Sequence, residues 1–261
     1  MGPKVMSVIA KLKSRILKVP FLRHLWWMRL EPLALVYRLE DLTEAFYQKA
    51  LVSGDVELEH QIGRLRNFKR IVGEIAAASL PGDVAEFGTW RGFSLHWLAF
   101  LFERQGIFDK KLIGVDGFVG LPGSEGVFSQ GHFHNTSQTS VRTNLAASTD
   151  LYDLTKKNVF IEKFLYKEKD AVLSRFRELG VRQLVLVHLD ADLTSSTLEI
   201  LDILKSGGLL ADTVYLLFDD WGCDTNLART VEAALKRDFA GWTITEHSHS
   251  KLTKNFKLRR K

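Results

Sequence analysis

The chain holds one cysteine, Cys223, in 261 residues. A lone thiol builds neither a disulfide framework nor a thiolate metal cage, so a reducing compartment, the cytoplasm, is the expected location. No apolar run approaches the roughly 18 residues of a membrane span. The opening MGPKVMSVIAKLK offers six uncharged residues before lysines resume, too few for a secretory signal core. Excess charge is also scarce. Lys+Arg number 36 against 31 Asp+Glu, and the surplus sits at the ends: eight basic residues against two acids in 1–40, six against none in 251–261. The near-neutral middle lacks the basic face interleaved with aromatics that a nucleic acid would require. There is no internal repeat and no low-complexity tract.

What is present is apolar residue content of 46%, enough for a substantial core, at a length that fits one α/β domain with an appendage. The appendage is residues 1–55 and the domain 56–261. Over 4–19, Val5, Val8, Ile9, Leu12 and Ile16 recur at helical spacing, with Lys4, Lys11, Arg15 and Lys18 on another face until Pro20 ends the pattern. Such a basic amphipathic helix packs on its own domain or on a second copy in a homo-oligomer, or lies on an anionic membrane surface, where peripheral contact would follow. Trp26 and Trp27 suit either interface. Residues 31–52 and 57–79 read as two further helices.

From Asp83 strands alternate with helices. DVAEFG (83–88) precedes a helix over 91–105, and KLIGVD (111–116) a long loop. NVFIEKF (158–164), QLVLVHLDA (183–191) and VYLLFDD (214–220) precede helices over 168–179, 196–205 and 225–239. This order predicts a doubly wound, mostly parallel sheet. WTITEH (242–247) and NFKLRR (255–260) follow with no helix between them, which adds an antiparallel C-terminal hairpin and brings the strands to seven. Five α/β units and a hairpin make the Rossmann-like class I methyltransferase layout; dinucleotide dehydrogenases do not end that way.

Two of these strands run out into acids: Asp190 and Asp192 in LVLVHLDADLTSST, Asp219 and Asp220 in VYLLFDDWG. Open α/β folds bind ligands at that carboxyl edge. On neighbouring strands about 4.8 Å apart, three or four carboxylates would converge, and only a hard cation of the magnesium type would let all stay ionised. Alternation puts His188, Asp190 and Asp192 on one side if the chain stays extended, whereas Asp219 and Asp220 diverge unless the strand end twists or bulges. His188 reads as a hydrogen-bonded core residue more readily than as a ligand. Ser196-x-x-Glu199 forms an expected capping box. Trp90 and Trp221 read as packing residues more readily than as substrate platforms; of the two, Trp221, beside the acids, is the better candidate for stacking on a substrate. His132 and His134 face solvent on a Gly-rich loop long enough to be a lid.

The other half of the edge carries the turn Gly88-Thr89-Trp90-Arg91-Gly92 between strand and helix, where glycines let the backbone approach a ligand. Glu86 stands two residues before it. Asp116 ends the next strand, where a carboxylate accepts hydrogen bonds from ribose hydroxyls. GxxxG lacks the tight GxGxxG pyrophosphate turn, which favours a cofactor without phosphates over NAD or FAD.

VAEFGTWRGFSLHWL, LIGVDGFVGLP, LVHLDADLTSSTLEILDIL and FDDWG, in that order, resemble the successive motifs of the macrocin O-methyltransferase family across residues 82–240. These are bacterial enzymes, dependent on S-adenosylmethionine and a metal, that methylate sugar hydroxyls of natural products. The resemblance implies that Glu86, Gly88 and Asp116 belong to the S-adenosylmethionine site, where Thr89 and Gly92 of the same turn are counted too. It implies that Asp190, Asp219 and Asp220 hold Mg2+ or Mn2+, with Asp192 as general base; the alternative for Asp192 is a fourth ligand. Three departures stand out: Thr194 replaces the usual tyrosine, LLADTVY (209–215) lengthens the link to the last parallel strand, and the first 55 residues have no counterpart. The expected activity is methylation of a sugar hydroxyl on a glycosylated natural product or glycan; docking of residues 1–30 on a membrane would make a lipid-linked acceptor plausible. A catechol or phenol O-methyltransferase and a non-catalytic scaffold of a glycan pathway are the alternatives.

Overall fold

The computed structural model describes Val52, residues 56–147 and residues 158–261. The helices expected over 4–19 and 31–52, with Trp26 and Trp27, lie outside the described residues except for Val52. Helix α1 (Val56–Ala77) leads into β1 (Asp83–Phe87), α2 (Phe93–Arg104), β2 (Leu112–Asp116) and α3 (Gln138–Ala147). There follow β3 (Val159–Lys163), α4 (Lys169–Glu178), β4 (Leu184–Leu189), α5 (Thr194–Ser206), β5 (Leu210–Phe218) and α6 (Thr225–Asp238). The hairpin β6 (Trp242–His249) and β7 (Lys254–Arg260) closes the chain. The strands form one sheet in the order β3-β2-β1-β4-β5-β7-β6, parallel except for β7. This is the predicted seven-stranded, doubly wound sheet. Among the described residues no helix is long and apolar enough to cross a membrane.

Burial follows from the strand sequences. LVLVHL of β4 is buried along its whole length, as expected of a central parallel strand covered on both faces. Its single polar member, His188, therefore needs a buried partner. Helix α2 is apolar around most of its circumference, with Leu95, Trp97, Leu98, Phe100 and Phe102 fully buried. Trp97 Nε1 donates to Leu65 C=O of α1 at 3.4 Å, anchoring α1 on α2. Each such side chain contributes about 1.5–3 kcal/mol, more than an exposed pair such as Lys169–Asp202, worth about 0–1 kcal/mol.

Register levels the strand ends that matter. Phe87 of β1 pairs with Leu189 of β4, and Leu189 with Phe218 of β5. The ladder runs one step further: Gly88 N–H donates to Val115 C=O, Asp190 N–H to Phe87 C=O and Asp219 N–H to Leu189 C=O, at 3.0, 2.8 and 3.1 Å. Gly88, Asp190 and Asp219 thus emerge together beside the reversal of strand order between β2-β1 and β4-β5, where ligands bind in open α/β sheets.

Three local expectations are corrected. The loop predicted after β2 contains α3, whose apolar face is only Val141 and Leu145, too little periodicity to recognise; Ser137 Oγ caps it by accepting from Ser140 N–H at 3.1 Å. The residues read as a longer link belong to β5: Leu210 faces Leu184 while Tyr215 faces Leu186, so the insertion is absorbed as a bulge. The Ser196–Glu199 capping box does not form. Helix α5 begins at Thr194, and Glu125 of the β2–α3 loop accepts from both Thr194 N–H, at 2.8 Å, and Thr194 Oγ1.

Candidate active site

A cavity of about 770 Å³ opens at this edge, and both halves of the sequence motif line it: Gly88, Thr89 and Asp116 on one side, Asp190, Asp192, Asp219 and Asp220 on the other. Its size is ordinary for a small-molecule site.

Gly88 has φ +94°, and a Cβ there would stand 1.6 Å from Asp190 C=O; only glycine lets β1 leave the sheet past the end of β4. Gly92, φ +81°, caps α2, where a Cβ would meet Val141 Cγ1 at 2.8 Å. Asp116 joins the loops around the cavity: its Oδ2 accepts Trp90 N–H at 2.8 Å and its Oδ1 accepts Phe118 N–H at 2.6 Å. Burial pushes the carboxyl above its usual range, and these two bonds oppose the shift. Thr89 Oγ1 is buried with no hydrogen-bond partner among the described residues. Trp90 lines the cavity, packs edge-on against Phe133 at 5.4 Å and donates from Nε1 to Asn135 Oδ1 at 3.1 Å, so the 117–137 loop folds against the cofactor turn. His132 and His134 on this loop are exposed, as expected, with their ring nitrogens near Ser129 N and Gly131 C=O.

Glu86 does not line the cavity. It is buried, and its Oε2 lies 3.0 Å from His188 Nδ1, its register partner on β4. His188 is the hydrogen-bonded core histidine that the sequence favoured. Its Nε2 lies 3.7 Å from Asp219 Oδ1. Burial opposes the imidazolium, but Asp219 and Glu86 outweigh it and raise the ring to about 10.

The four acids divide. Asp219 points toward α1, where its Oδ2 accepts from Arg64 Nη1 at 2.7 Å and lies 3.2 Å from His60 Nε2. Burial works against its charge; Arg64, His188 and His60 outweigh burial and hold the carboxyl well below its usual range. The other three carboxyls are raised: Asp190 well above its usual range, Asp192 to about 8 and Asp220 to about 7, in each case by burial first and by neighbouring acids second. Ligand atoms of Asp190, Asp192 and Asp220 lie within 4.8 Å of one another, as do those of His188, Asp190 and Asp219. Asp220 Oδ2 is buried without a hydrogen-bond partner among the described residues. Three converging oxygens-only groups with one orphaned acceptor fit a hard divalent cation.

The extended conformation ends at Leu189 and does not persist to Asp192. Asp192 has φ +59°, unusual for a residue with a Cβ, and Leu193 N–H closes a tight turn around it onto Ala191 C=O at 2.5 Å. Trp221 is not in the cavity: Phe218 and Phe256 hold its ring at 5.4 and 5.3 Å, and Trp90 lines the pocket instead. Cys223 lines it too, its thiol pushed up to about 12 by burial and by Asp220. Sequence reasoning missed His60, Gln61 and Arg64, which bring α1 to the cavity. The available signal was Arg64 itself, four residues before Phe68 on the stripe continued by Ile71 and Ile75, where an apolar residue belongs.

Among solved structures, the chain resembles the O-methyltransferase NovP at 19% identity and TM-score 0.61, covering 77% of this chain and 81% of that one. It resembles the calicheamicin methyltransferase CalS11 at 17% identity and TM-score 0.60, covering 85% and 90%. A methyltransferase of Podospora anserina, PaMTH1, solved with S-adenosylhomocysteine, aligns at 9% identity and TM-score 0.50 over 85% and 88%. Comparison with curated sequences gave no match. The family model for macrocin O-methyltransferases matches residues 60–238, which includes most of α1 and both motif halves. The chain therefore belongs to the macrocin O-methyltransferase family, and it is an O-methyltransferase whose family and fold imply S-adenosylmethionine as donor.

Proposed function

We propose that the enzyme methylates a sugar hydroxyl, with the cofactor over the ends of β1 and β2 and the acceptor over the acids. The observation that carries this reading is the single cavity joining the Gly88–Asp116 half to the Asp190–Asp220 half. NovP and CalS11 are methyltransferases of comparable fold, and CalS11 is described as a TDP-rhamnose 3'-O-methyltransferase, which makes a sugar acceptor the natural extension.

Gly88 and Gly92 bring the turn backbone against the donor, Thr89 offers an unpartnered hydroxyl, and Asp116 offers its remaining lone pairs to ribose. Glu86 acts at one remove, fixing His188. Asp190, Asp219 and Asp220 would hold Mg2+ or Mn2+, with water completing the shell as is usual for magnesium. When bound, the donor supplies a sulfonium methyl and the cation makes an alcohol easier to deprotonate. Asp192 takes the hydroxyl proton. Tyr166 and residues of the 117–137 loop wall the cavity.

The test is formation of S-adenosylhomocysteine with a panel of nucleotide-linked sugars, glycosides and catechols. Turnover confined to sugars supports the reading; turnover confined to catechols overturns it. A lipid-linked acceptor rests on residues 1–30, which lie outside the described residues.

A further inference from the structure

Helix α5 begins without a cap of its own. The residue at its capping position is Leu193, whose side chain makes no capping bond, and its first turn carries no acid. The first N–H groups of a helix need acceptors from outside it, and the helix dipole favours a carboxylate there. Glu125 supplies one from 69 positions earlier in the chain: Oε2 accepts Thr194 N–H at 2.8 Å, and Oε1 accepts the Thr194 hydroxyl.

The loop that carries Glu125 is itself well tied. Glu125 and Phe128 exchange both backbone hydrogen bonds, at 3.0 and 2.9 Å, around a turn in which Gly126 has φ +56°. Further back, Leu121 N–H bonds His132 C=O and Gly131 N–H bonds Leu121 C=O, at 2.9 and 3.0 Å. Val127 and Phe128, at the tip, line the cavity.

Between the sheet and this clamp lies the turn of Asp192. On its near side Asp190 N–H is held by Phe87 C=O; on its far side Thr194 is held by Glu125. A left-handed conformation such as the φ +59° of Asp192 is unfavourable for a residue with a Cβ and persists where the surroundings impose it. With both ends fixed, the three residues between them have little room to relax into an ordinary turn. We infer that Glu125 is a positioning residue of the methyl transfer: by fixing Thr194 it holds the left-handed turn that presents Asp192 to the cavity. The inference rests on the reading of Asp192 as base and adds the residue that places it. Docking of the loop tip and placement of the base are then one event.

The experiment has two arms, both on full-length protein. Amide hydrogen exchange is followed by mass spectrometry in protein saturated with S-adenosylhomocysteine. Turnover is followed with S-adenosylmethionine, Mg2+ and the fastest acceptor among the nucleotide-linked sugars, glycosides and catechols. Glu125→Ala should speed exchange across 191–196 by about tenfold or more, the scale of losing a charged hydrogen-bond partner, and leave β4 protected. Its kcat should fall about ten- to a hundredfold with KM for S-adenosylmethionine within about threefold, because a reacting group displaced by about 1 Å can cost about 10². Glu125→Gln should restore both, since Oε1 can accept Thr194 N–H while Nε2 donates to Thr194 Oγ1. Thr194→Val loses only the hydroxyl bond and should fall between; added to Glu125→Ala it should cost little more, because the two changes remove one contact.

Unchanged exchange in Glu125→Ala would show that α5 holds the turn alone and would overturn the inference. Faster exchange with unchanged kcat would make the clamp merely structural and overturn it too, as would equal losses in Glu125→Ala and Glu125→Gln. Asp192→Asn separates the two levels: near-normal turnover there removes the base reading and this inference with it, whereas a slow Asp192→Asn beside an unaffected Glu125→Ala fails this inference alone. If wild type turns over no member of the panel, the exchange arm decides.

Discussion

Gly88 and Asp190 approach so closely that a methyl group on the glycine would stand 1.6 Å from the aspartate's carbonyl oxygen. The contact joins the cofactor turn to the first acid. Alanine at position 88 therefore faces two costs: the left-handed conformation, about 1–2 kcal/mol for any residue with a Cβ, and a backbone clash that no rotamer relieves. Gly131, at φ +82° with open space around it, isolates the first cost. We predict that Gly131→Ala loses about 1–2 kcal/mol in urea denaturation, whereas Gly88→Ala loses more and also loses S-adenosylhomocysteine binding by calorimetry. Equal losses in the two variants would refute the clash.

Chelation with EDTA should abolish turnover, and Mg2+ or Mn2+ should restore it. In the loaded enzyme, Asp192→Asn should keep donor and cation but slow the single-turnover rate by about 10²–10⁴, the usual contribution of a positioned base. A near-normal single-turnover rate would remove Asp192 from proton transfer.

Asp116 holds the loops on both sides of the cavity through Trp90 and Phe118. Asp116→Ala frees two backbone donors as well as removing the ribose acceptor, so donor affinity should fall about tenfold or more, at or above the upper end of the roughly 0.5–1.5 kcal/mol of one ordinary hydrogen bond. Mn2+ binding should be nearly unchanged. Unaltered donor affinity would dissociate Asp116 from the cofactor.

Far from the site, Glu74 of α1 accepts from Tyr215 Oη at 2.9 Å and Lys257 Nζ at 3.2 Å, and lies 2.8 Å from His247 Nε2. Burial opposes its charge, but His247 and Tyr215 outweigh burial and draw the carboxyl down to about 2 from an ordinary 4.5. A folded pKa below the unfolded one stabilises the protein above the unfolded value, and that stability is lost as pH falls toward the folded value. Glu74→Gln should thus be less stable than wild type at pH 7, by about 1 kcal/mol because the cluster is partly exposed. The gap should close between pH 4.5 and 2, as read by urea denaturation; a gap that is constant with pH would contradict the linkage.

Strands and most helices were legible in the sequence because their signals are local. A central parallel strand such as LVLVHL must be apolar throughout, and a strand-end acid such as Asp190 or Asp219 follows directly in the chain. The GxxxG turn, Asp116 and the two acid pairs could therefore be placed at one edge before any contact was known, and the order of motifs carried the family. Helix α3 was hidden because Val141 and Leu145 alone do not make a period.

Tertiary structure decided how those residues divide the work. Glu86 and His188 face each other only through the β1–β4 register, and Asp219 is paired with Arg64, 155 positions earlier in the chain, through the packing of α1. Trp90 faces the cavity and Trp221 the hairpin because β7 places Phe256 beside Trp221. Residue type and spacing thus determined that four acids and a glycine turn would share an edge. Which acid is ion-paired within the protein depends on the docking of α1, a long-range packing choice.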